Sequence, residues 1–267
     1  MFKAISKKLF RSDVEFDKSK NMLHAIITDA LWGKYKSLRF GLLWHFFPPI
    51  LLIFLYYFVW TLLGRSDIPD FWIYLSSAIF AYNFMLTCLV GGTTCIIGNS
   101  NYIKKMYFPR EILPLSFVIS NFIIFLVGYI LVLIIVILYG YSINLISILF
   151  SIVVLCEMFF FSLGCVFIVS VLTLLMRDLQ YFLSSLSLMF FTITPMYFFP
   201  NAISDIQGKV VWLNPFTYFV ESFHSCIYYC SLPSVQISCM CIVFTLITLI
   251  FGYMLFKKYK GSFVKRL

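Results

Sequence analysis

Charged residues are scarce in this chain. Of its 267 residues only 12% are charged and 62% are hydrophobic, whereas soluble domains carry about 25% charged residues. A soluble fold of this size could not bury so much apolar surface, because folded proteins still expose a large area to water. The composition therefore excludes a soluble enzyme, a secreted disulfide scaffold and a disordered protein. It indicates a protein whose solvent is mostly lipid.

The sequence also lacks the patterns of catalytic and cofactor sites. Its eight cysteines form no CxxC pair and no Cys/His cluster at zinc spacing. The three histidines are scattered, the loops hold no DxD and no paired carboxylates, and no GxxxxGK[ST] occurs. We therefore expect no catalytic residue, no metal and no cofactor bound by this chain. If the protein uses ATP, a partner must hydrolyse it.

Uncharged runs bounded by charged residues predict the membrane spans. About 20 apolar residues cross a bilayer as a helix, so the length allows roughly six or seven crossings. The predicted fold is an all-α membrane protein with one transmembrane domain over residues 1–267. Its six spans are predicted at about residues 42–63, 71–97, 112–138, 145–176, 182–199 and 235–256.

The positive residues predict the orientation of these spans. Of the 20 lysines and arginines, 18 fall on one side of the predicted membrane, together with residues 1–41 and 257–267. Only Arg65 and Lys209 fall on the other side. Cytoplasmic loops carry an excess of Lys and Arg, so we expect both termini in the cytoplasm. The net charge of +9 is then a topology signal, and we expect no nucleic-acid partner.

Two segments outside the spans have a helical pattern. Residues 21–38 repeat apolar side chains at helical spacing, which predicts an amphipathic helix in the cytoplasmic interface. A simple basic anchor is the alternative. Residues 201–233 carry little charge and hold two short helical stretches split at Asn214, which predicts re-entrant or interfacial helices, with an ordinary extracellular loop as the alternative. The predicted apolar face of the interface helix comprises Leu23, Ile27, Leu31 and Tyr35.

The loop before span three combines charged and aromatic residues. This pattern favours a surface that another protein grips, although a loop that only fixes the topology is the alternative. Its candidate coupling residues are Lys104, Lys105, Tyr107, Phe108, Arg110 and Glu111.

Four segments, in the same order along the chain, resemble permease subunits of ABC-2-type polysaccharide exporters, which export O-antigen, capsule and teichoic acid. Residues 104–116 resemble the cytoplasmic loop of that family, and residues 35–44 with Pro48 and Pro49 are similar to the entry into its first span. The loop at 177–179 and the element at 214–216 resemble a short cytoplasmic loop and an Asn-Pro element of the family. His224 is a departure, because an arginine is expected near this position.

The resemblance implies a transport subunit in a bacterial cytoplasmic membrane. It implies a homodimer on two ATPase subunits that hold ATP and magnesium, and a glycan substrate, typically attached to a polyprenyl lipid. The predicted interface helix at 21–38 and the loop at 104–111 would contact the ATPases. The region around Asn214 would form an outer gate. The further residues concerned are Arg177 and Asp178 for coupling, and Asn214, Pro215 and Phe216 for the gate.

Aromatic residues make up 20% of the chain. Most of them can simply face lipid or pack. Aromatic faces also stack on sugar rings without demanding one register, which suits a moving polymer. We therefore hypothesise that spans one and five line a channel, with these residues as its candidates: Trp44, Tyr56, Tyr57, Trp60 and Tyr197.

Two other functions compete with the exporter. A membrane glycosyl- or acyltransferase acting on lipid-linked glycans would need acids, histidine or a metal near a membrane face. A proton-coupled transporter would need several ionisable groups inside its spans. Glu157 is the only acid inside a long apolar run, and it lies 20 residues before Arg177, or ~30 Å along a helix. We therefore expect Glu157 near the outer interface, in no special role.

Overall fold

In the computed structural model, residues 20–33, 39–63, 68–105, 108–141, 144–200 and 205–263 are described, and the regular structure of this part is helical throughout. In chain order the helices are α1 (residues 20–28), α2 (Phe47–Leu62), α3 (Phe71–Gly91), α4 (Ser100–Lys105), α5 (Ile112–Leu138), α6 (Leu145–Leu175), α7 (Leu179–Ile193), α8 (Asp205–Leu213), α9 (Pro215–Phe223) and α10 (Val235–Tyr259).

Five helices of the described residues are long and apolar enough to cross a membrane. They cover Leu43–Leu62, Phe71–Thr94, Ile112–Leu138, Leu145–Leu175 and Val235–Tyr259. These correspond to predicted spans one to four and six. The second differs at its end, because α3 stops at Gly91 and continues only as the tight turn Gly92–Thr94 rather than reaching residue 97.

The predicted fifth span at 182–199 is not one continuous helix, because α7 covers Leu179–Ile193. Helix α7 has 15 residues, which is ~22 Å along its axis against a hydrocarbon core of ~30 Å. It ends at Ile193 because Thr194 precedes a proline, and the ring of Pro195 disfavours a helical conformation at the residue before it. Thr194 is accordingly extended, with φ −73° and ψ 130°. Tyr197 therefore lies on an irregular segment and not on a helix.

Helices α3 and α6 form the centre of the described structure. In the apolar stretch of α3 that is long enough to cross a membrane, 67% of the residues are buried inside the protein. The buried share is 56% for the corresponding stretch of α6 and 11% for that of α2. Helix α3 packs against α2, α5, α6 and α9, and α6 packs along most of α10. The outer surfaces of α2, α5 and α10 are apolar and exposed, as expected for a protein whose solvent is lipid.

Two glycines allow α6 and α10 to touch backbone to backbone. A Cβ added at Gly164 would lie 2.5 Å from the carbonyl carbon of Thr248, and one added at Gly252 would lie 2.5 Å from the carbonyl oxygen of Gly164. Close approach through small residues is a common packing mode between membrane helices. A hydrogen bond of 3.3 Å from the Thr245 hydroxyl to the Glu157 carbonyl also joins the two helices.

Helix α1 has the two-sided character that the sequence predicts. Leu23, Ile27 and Leu31 are half-buried, while His24 and Thr28 on the other side are exposed. The helix passes into a wider π turn at Asp29–Gly33. Tyr35, the fourth predicted residue of the apolar face, lies outside the described residues.

Candidate translocation site

Asn214 connects the start of α9 to the end of α7. Its Oδ1 accepts a hydrogen bond of 3.1 Å from the backbone N–H of Phe216 and so caps α9, while Pro215 occupies the first turn, where no N–H is needed. Its Nδ2 donates to the hydroxyl of Thr194 over 2.9 Å. The ring of Phe216 is buried and stacks on Phe190 of α7, with the ring centroids 5.5 Å apart. The Asn-Pro-Phe element therefore fixes α9 against α7.

His224 joins three parts of the structure at once. It follows α9 directly, in a π turn at His224–Tyr228, and it is completely buried. Its Nε2 lies 3.1 Å from the carbonyl oxygen of Pro195, which can only accept, so Nε2 is the donor. Its Nδ1 lies 3.1 Å from the hydroxyl of Ser77 on α3. The imidazole thus holds α9, α3 and the segment after α7 together, and we call this set of contacts the His224 site.

Tyrosine hydroxyls extend these contacts. Tyr74 of α3 stacks on His224 and donates a 3.0 Å hydrogen bond to the carbonyl oxygen of Phe198. Tyr228 donates to the carbonyl oxygen of Pro69, just before α3, over 2.7 Å. Because each bond satisfies a carbonyl that no helix uses, the irregular backbone after α7 and before α3 keeps its polar groups paired inside an apolar protein.

An aromatic cluster lies between α2 and the segment after α7. Tyr56 of α2 stacks on Tyr197, with centroids 5.3 Å apart, and Trp60 meets the edge of the same ring at 6.3 Å. Phe191 of α7 contacts Tyr56 and Tyr197 at 5.6 and 6.2 Å. The aromatic cluster is therefore formed by three of the five predicted channel residues, together with Phe191.

The other two predicted channel residues lie elsewhere. Tyr57 is exposed on a different side of α2, since the next residue along a helix points about 100° away. Trp44 is exposed before α2, where its ring contacts Phe40 and Phe47. Trp44 and Tyr57 lie on the same predicted span as Tyr56 and Trp60. The sequence position alone therefore did not show that only the latter two join the aromatic cluster.

The predicted coupling residues lie at the ends of α4, α5 and α6. Lys104 is exposed on α4, and Phe108 is half-buried against the core. Arg177 and Asp178 are exposed in the turn between α6 and α7. Tyr107 and the side chain of Lys105 lie outside the described residues.

Arg110 and Glu111 immediately precede α5 and are half-buried. Partial burial raises the pKa of Glu111, but the hydrogen bond from Lys260 and the charges of Lys260 and Arg110 outweigh this effect. The pKa of this carboxyl therefore lies below its ordinary value, and Glu111 is an anion at neutral pH.

The sequence reading missed Tyr74 and Ser77 and gave His224 no role. Tyr74 and Ser77 lie inside an apolar run with the ordinary look of a span. The signal that could have identified the site is the isolated histidine in an apolar stretch, which must find polar partners when buried.

A family model described as "ABC-2 type transporter" matches residues 23–228. This match covers most of α1, all of α2 to α9 and the residues of the His224 site. The chain therefore belongs to the ABC-2 type transporter membrane family, and it is a multi-pass transport subunit.

Three curated relatives have the same name, O-antigen export system permease protein RfbA. The chain is 26% identical over 224 residues to the protein of Myxococcus xanthus, which covers 83% of this chain and 86% of the relative. It is 28% identical over 246 residues to one protein of Klebsiella pneumoniae, and 26% identical over 245 residues to another, with 92% of this chain and 94% of the relative covered in each case.

Proposed function

We propose that this chain is the membrane permease of an ATP-driven exporter of a cell-surface polysaccharide, located in a bacterial cytoplasmic membrane. The observation that carries the proposal is its family membership over residues 23–228, combined with relatives of matching length that are named as O-antigen permeases. The substrate in this proposal is a glycan attached to a polyprenyl lipid. The ATP and magnesium are held by a separate ATPase partner.

The aromatic cluster supports a channel beside α2. Tyr56, Trp60 and Tyr197 are half-buried at the boundary between α2 and the segment after α7, where their rings pack against one another. Stacking on a sugar ring requires no fixed hydrogen-bond register, so such faces let a polymer slide past. In the proposed mechanism these rings contact the glycan while ATP hydrolysis in the partner drives its movement.

The exposure of α2 supports a homodimer. Only 11% of the residues in its spanning window are buried by the rest of the chain, although α2 carries the aromatic cluster. A second copy placed against this side would close a channel between the two α2 helices. In this arrangement each protomer contributes one wall, and two ATPase subunits bind the cytoplasmic loops.

The proposed topology has six crossings. Helix α7 together with the irregular segment after it completes the crossing that α7 alone is too short to make. The bonds of the His224 site support this, because they satisfy the backbone of that segment inside the apolar region. Helices α8 and α9 then lie at the outer mouth as a gate, and both termini lie in the cytoplasm.

Purification from the membrane together with bound proteins tests the proposal. We expect an ATPase with a nucleotide-binding Walker motif to be recovered with the permease, and export of the glycan to be blocked by vanadate. Cells without the permease should accumulate lipid-linked glycan inside. Recovery without any ATPase, or accumulation of an unmodified precursor instead of a finished glycan, would contradict the exporter and favour a membrane transferase.

A further inference from the structure

The segment after α10 folds back onto the start of α5. The ammonium group of Lys260 lies 2.7 Å from Oε1 of Glu111. Lys260 begins a tight turn at Lys260–Ser262, which directly continues the last helix. The contact therefore joins residues that are 149 positions apart in the sequence, at the end of one predicted span and the beginning of another.

An aromatic contact accompanies the ion pair. Phe263 is completely buried, and its ring meets Phe256 of α10 edge to face with centroids 5.2 Å apart. The guanidinium of Arg110 lies over the same Phe263 ring, 5.8 Å from its centroid. Two adjacent residues of the loop, Arg110 and Glu111, are thus held by two residues of the segment that follows α10.

The burial of Phe263 distinguishes this contact from an ordinary surface ion pair. Exposed pairs contribute little on their own, since water screens them and their side chains lose freedom. Here the buried ring anchors the turn, so the side chain of Lys260 starts from a fixed backbone. Glu111 occupies the N-cap position of α5, where a negative charge is favourable, although its side chain makes no capping hydrogen bond to the helix.

Helix α10 links two contacts. At its end, the turn that carries Lys260 and Phe263 contacts the loop before α5. Towards its beginning, α10 packs against α9: Phe244 meets Tyr218 with ring centroids 5.5 Å apart, and Sγ of Cys241 lies 3.6 Å from the Ser222 hydroxyl. A displacement of the loop before α5 would therefore act on α10 at one end, and α10 would carry it to α9 at the other.

We infer that Lys260 and Phe263 are positioning residues. They hold Arg110 and Glu111 in the orientation that the ATPase partner binds. They also couple the movement of the loop that contains these two residues to α10. The inference rests on the proposed function, because it assigns the loop to the ATPase contact. It adds a residue pair and a route that the loop alone does not provide. Without the pair, the loop would still bind the partner, but its movement would reach α10 less completely.

A double-mutant cycle on the complex tests the pair. The variants are Glu111→Gln, Lys260→Gln and the double variant, with Lys257→Gln as the matched control, because Lys257 is an exposed lysine one turn earlier on α10. For each variant, the glycan exported per ATP hydrolysed is measured together with the amount of ATPase bound. Phe263→Leu, which keeps an apolar side chain and removes the ring below Arg110, is measured in the same way.

We expect each single variant to lower export per ATP by about threefold, and the double variant to lower it by about threefold as well and not by about ninefold. The amount of bound ATPase should stay at the wild-type level in Lys260→Gln and Phe263→Leu, and the Lys257→Gln control should match the wild type in both measurements. Phe263→Leu should lower the glycan exported per ATP, as the variants of the pair do. Losses that multiply in the double variant, or unchanged coupling in all three, would overturn the inference.

The thermal midpoint of the purified permease separates this inference from the proposed function. We expect Glu111→Gln and Lys260→Gln to lower the midpoint by the same amount, with no further fall in the double variant. If the wild type exports no glycan and binds no ATPase, the proposed function fails, and the coupling role fails with it. The midpoint cycle then still decides whether Lys260 holds Glu111, and additive falls there would overturn the contact.

Discussion

The imidazole of His224 lies flat against the phenol ring of Tyr74, with the ring centroids 3.7 Å apart and the ring planes 5° from parallel. The same imidazole uses both nitrogens, towards Ser77 and the carbonyl of Pro195. Two different interactions, stacking and hydrogen bonding, therefore hold one side chain in place. They can be separated by substitution.

We expect His224→Phe to lower the free energy of unfolding by about 2 kcal/mol, because the stack remains but the two buried hydrogen bonds of the imidazole, to Ser77 and to Pro195, are lost. His224→Ala should cost about 1 kcal/mol more, since the stacking and the packed volume are lost as well. Thermal unfolding of the purified protein measures both. His24→Ala is the control, because His24 is exposed on α1. Equal effects at positions 24 and 224 would contradict the role of the His224 site.

A second prediction concerns the two helix caps made by asparagine. Asn214 caps α9 and also bonds Thr194, whereas Asn144 caps α6, through a 3.0 Å bond from the Ile146 N–H, and is exposed. Loss of a cap costs about 1 kcal/mol. We expect Asn144→Ala to cost that amount, and Asn214→Ala to cost about 2 kcal/mol, since a buried hydrogen bond is lost too.

Asn214→Ser distinguishes the cap from the bond to α7. A serine hydroxyl can still accept from the first turn of α9, but it is too short to reach Thr194. The free energy of unfolding of Asn214→Ser should therefore lie between that of the wild type and that of Asn214→Ala. The same unfolding measurement decides this, and a serine variant as unstable as the alanine variant would mean that capping contributes nothing here.

The long spans could be predicted from the sequence because each is an uncharged run of sufficient length, and lipid demands an unbroken helix from such a run. The bounds of the fifth helix could not be predicted in this way. Residues 182–199 are also an uncharged and largely apolar run, but Pro195 ends the helix early, and the tertiary bonds that make the break tolerable come from Tyr74 and His224. Hydropathy contains no information about those partners.

Only part of the site was predictable for a similar reason. Asn214 was identified because it splits two helical stretches and because residues 214–216 resemble an Asn-Pro element of the family. The grouping of Tyr56 with Tyr197, and the separation of Tyr57 from both, depend on the rotation of α2 about its axis. Nearly all residues of α2 are apolar, so no polar face marks which side meets α7.

The contact of α6 with α10 predicts different outcomes for two kinds of glycine. Alanine favours a helix over glycine by about 1 kcal/mol, yet we expect Gly164→Ala and Gly252→Ala to destabilise by about 3 kcal/mol, because the new methyl group meets backbone atoms at 2.5 Å. Gly91→Ala is the matched control. Its Cβ would meet only the tip of the Phe117 ring, at 2.7 Å, and that ring can turn aside.

Thermal midpoints of the three glycine variants, compared in one detergent, check this prediction. If Gly91→Ala lowers the free energy of unfolding by less than about 1 kcal/mol, and the variants at 164 and 252 lower it more, the result agrees with backbone contact between α6 and α10. Similar midpoints for all three variants would show that the two helices can separate at little cost.

The proposed orientation of the spans predicts the labelling of single cysteines. We expect the new cysteine of the Arg177→Cys variant to react with a membrane-impermeant maleimide only after the cells are opened. The new cysteine of the Lys209→Cys variant should react in intact cells. Both positions are exposed, so access depends on the side of the membrane. The native thiols that are not buried, Cys156, Cys230 and Cys239, are first replaced by alanine. Reaction of both positions in intact cells would contradict a cytoplasmic turn between α6 and α7.

The proposed channel predicts which rings of the aromatic cluster the export of a glycan needs. We expect Tyr56→Ala and Tyr197→Ala to lower export about tenfold, because stacking on a ring contributes about 1 kcal/mol or more and several sugar units pass each ring. Tyr57→Ala is the control on the same helix, since its ring is exposed away from the cluster, and its export should fall less than twofold. Export is measured as surface glycan per permease in the membrane. Unchanged export in the alanine variants of Tyr56, Tyr57, Trp60 and Tyr197 would exclude a channel lined by α2 and the segment after α7.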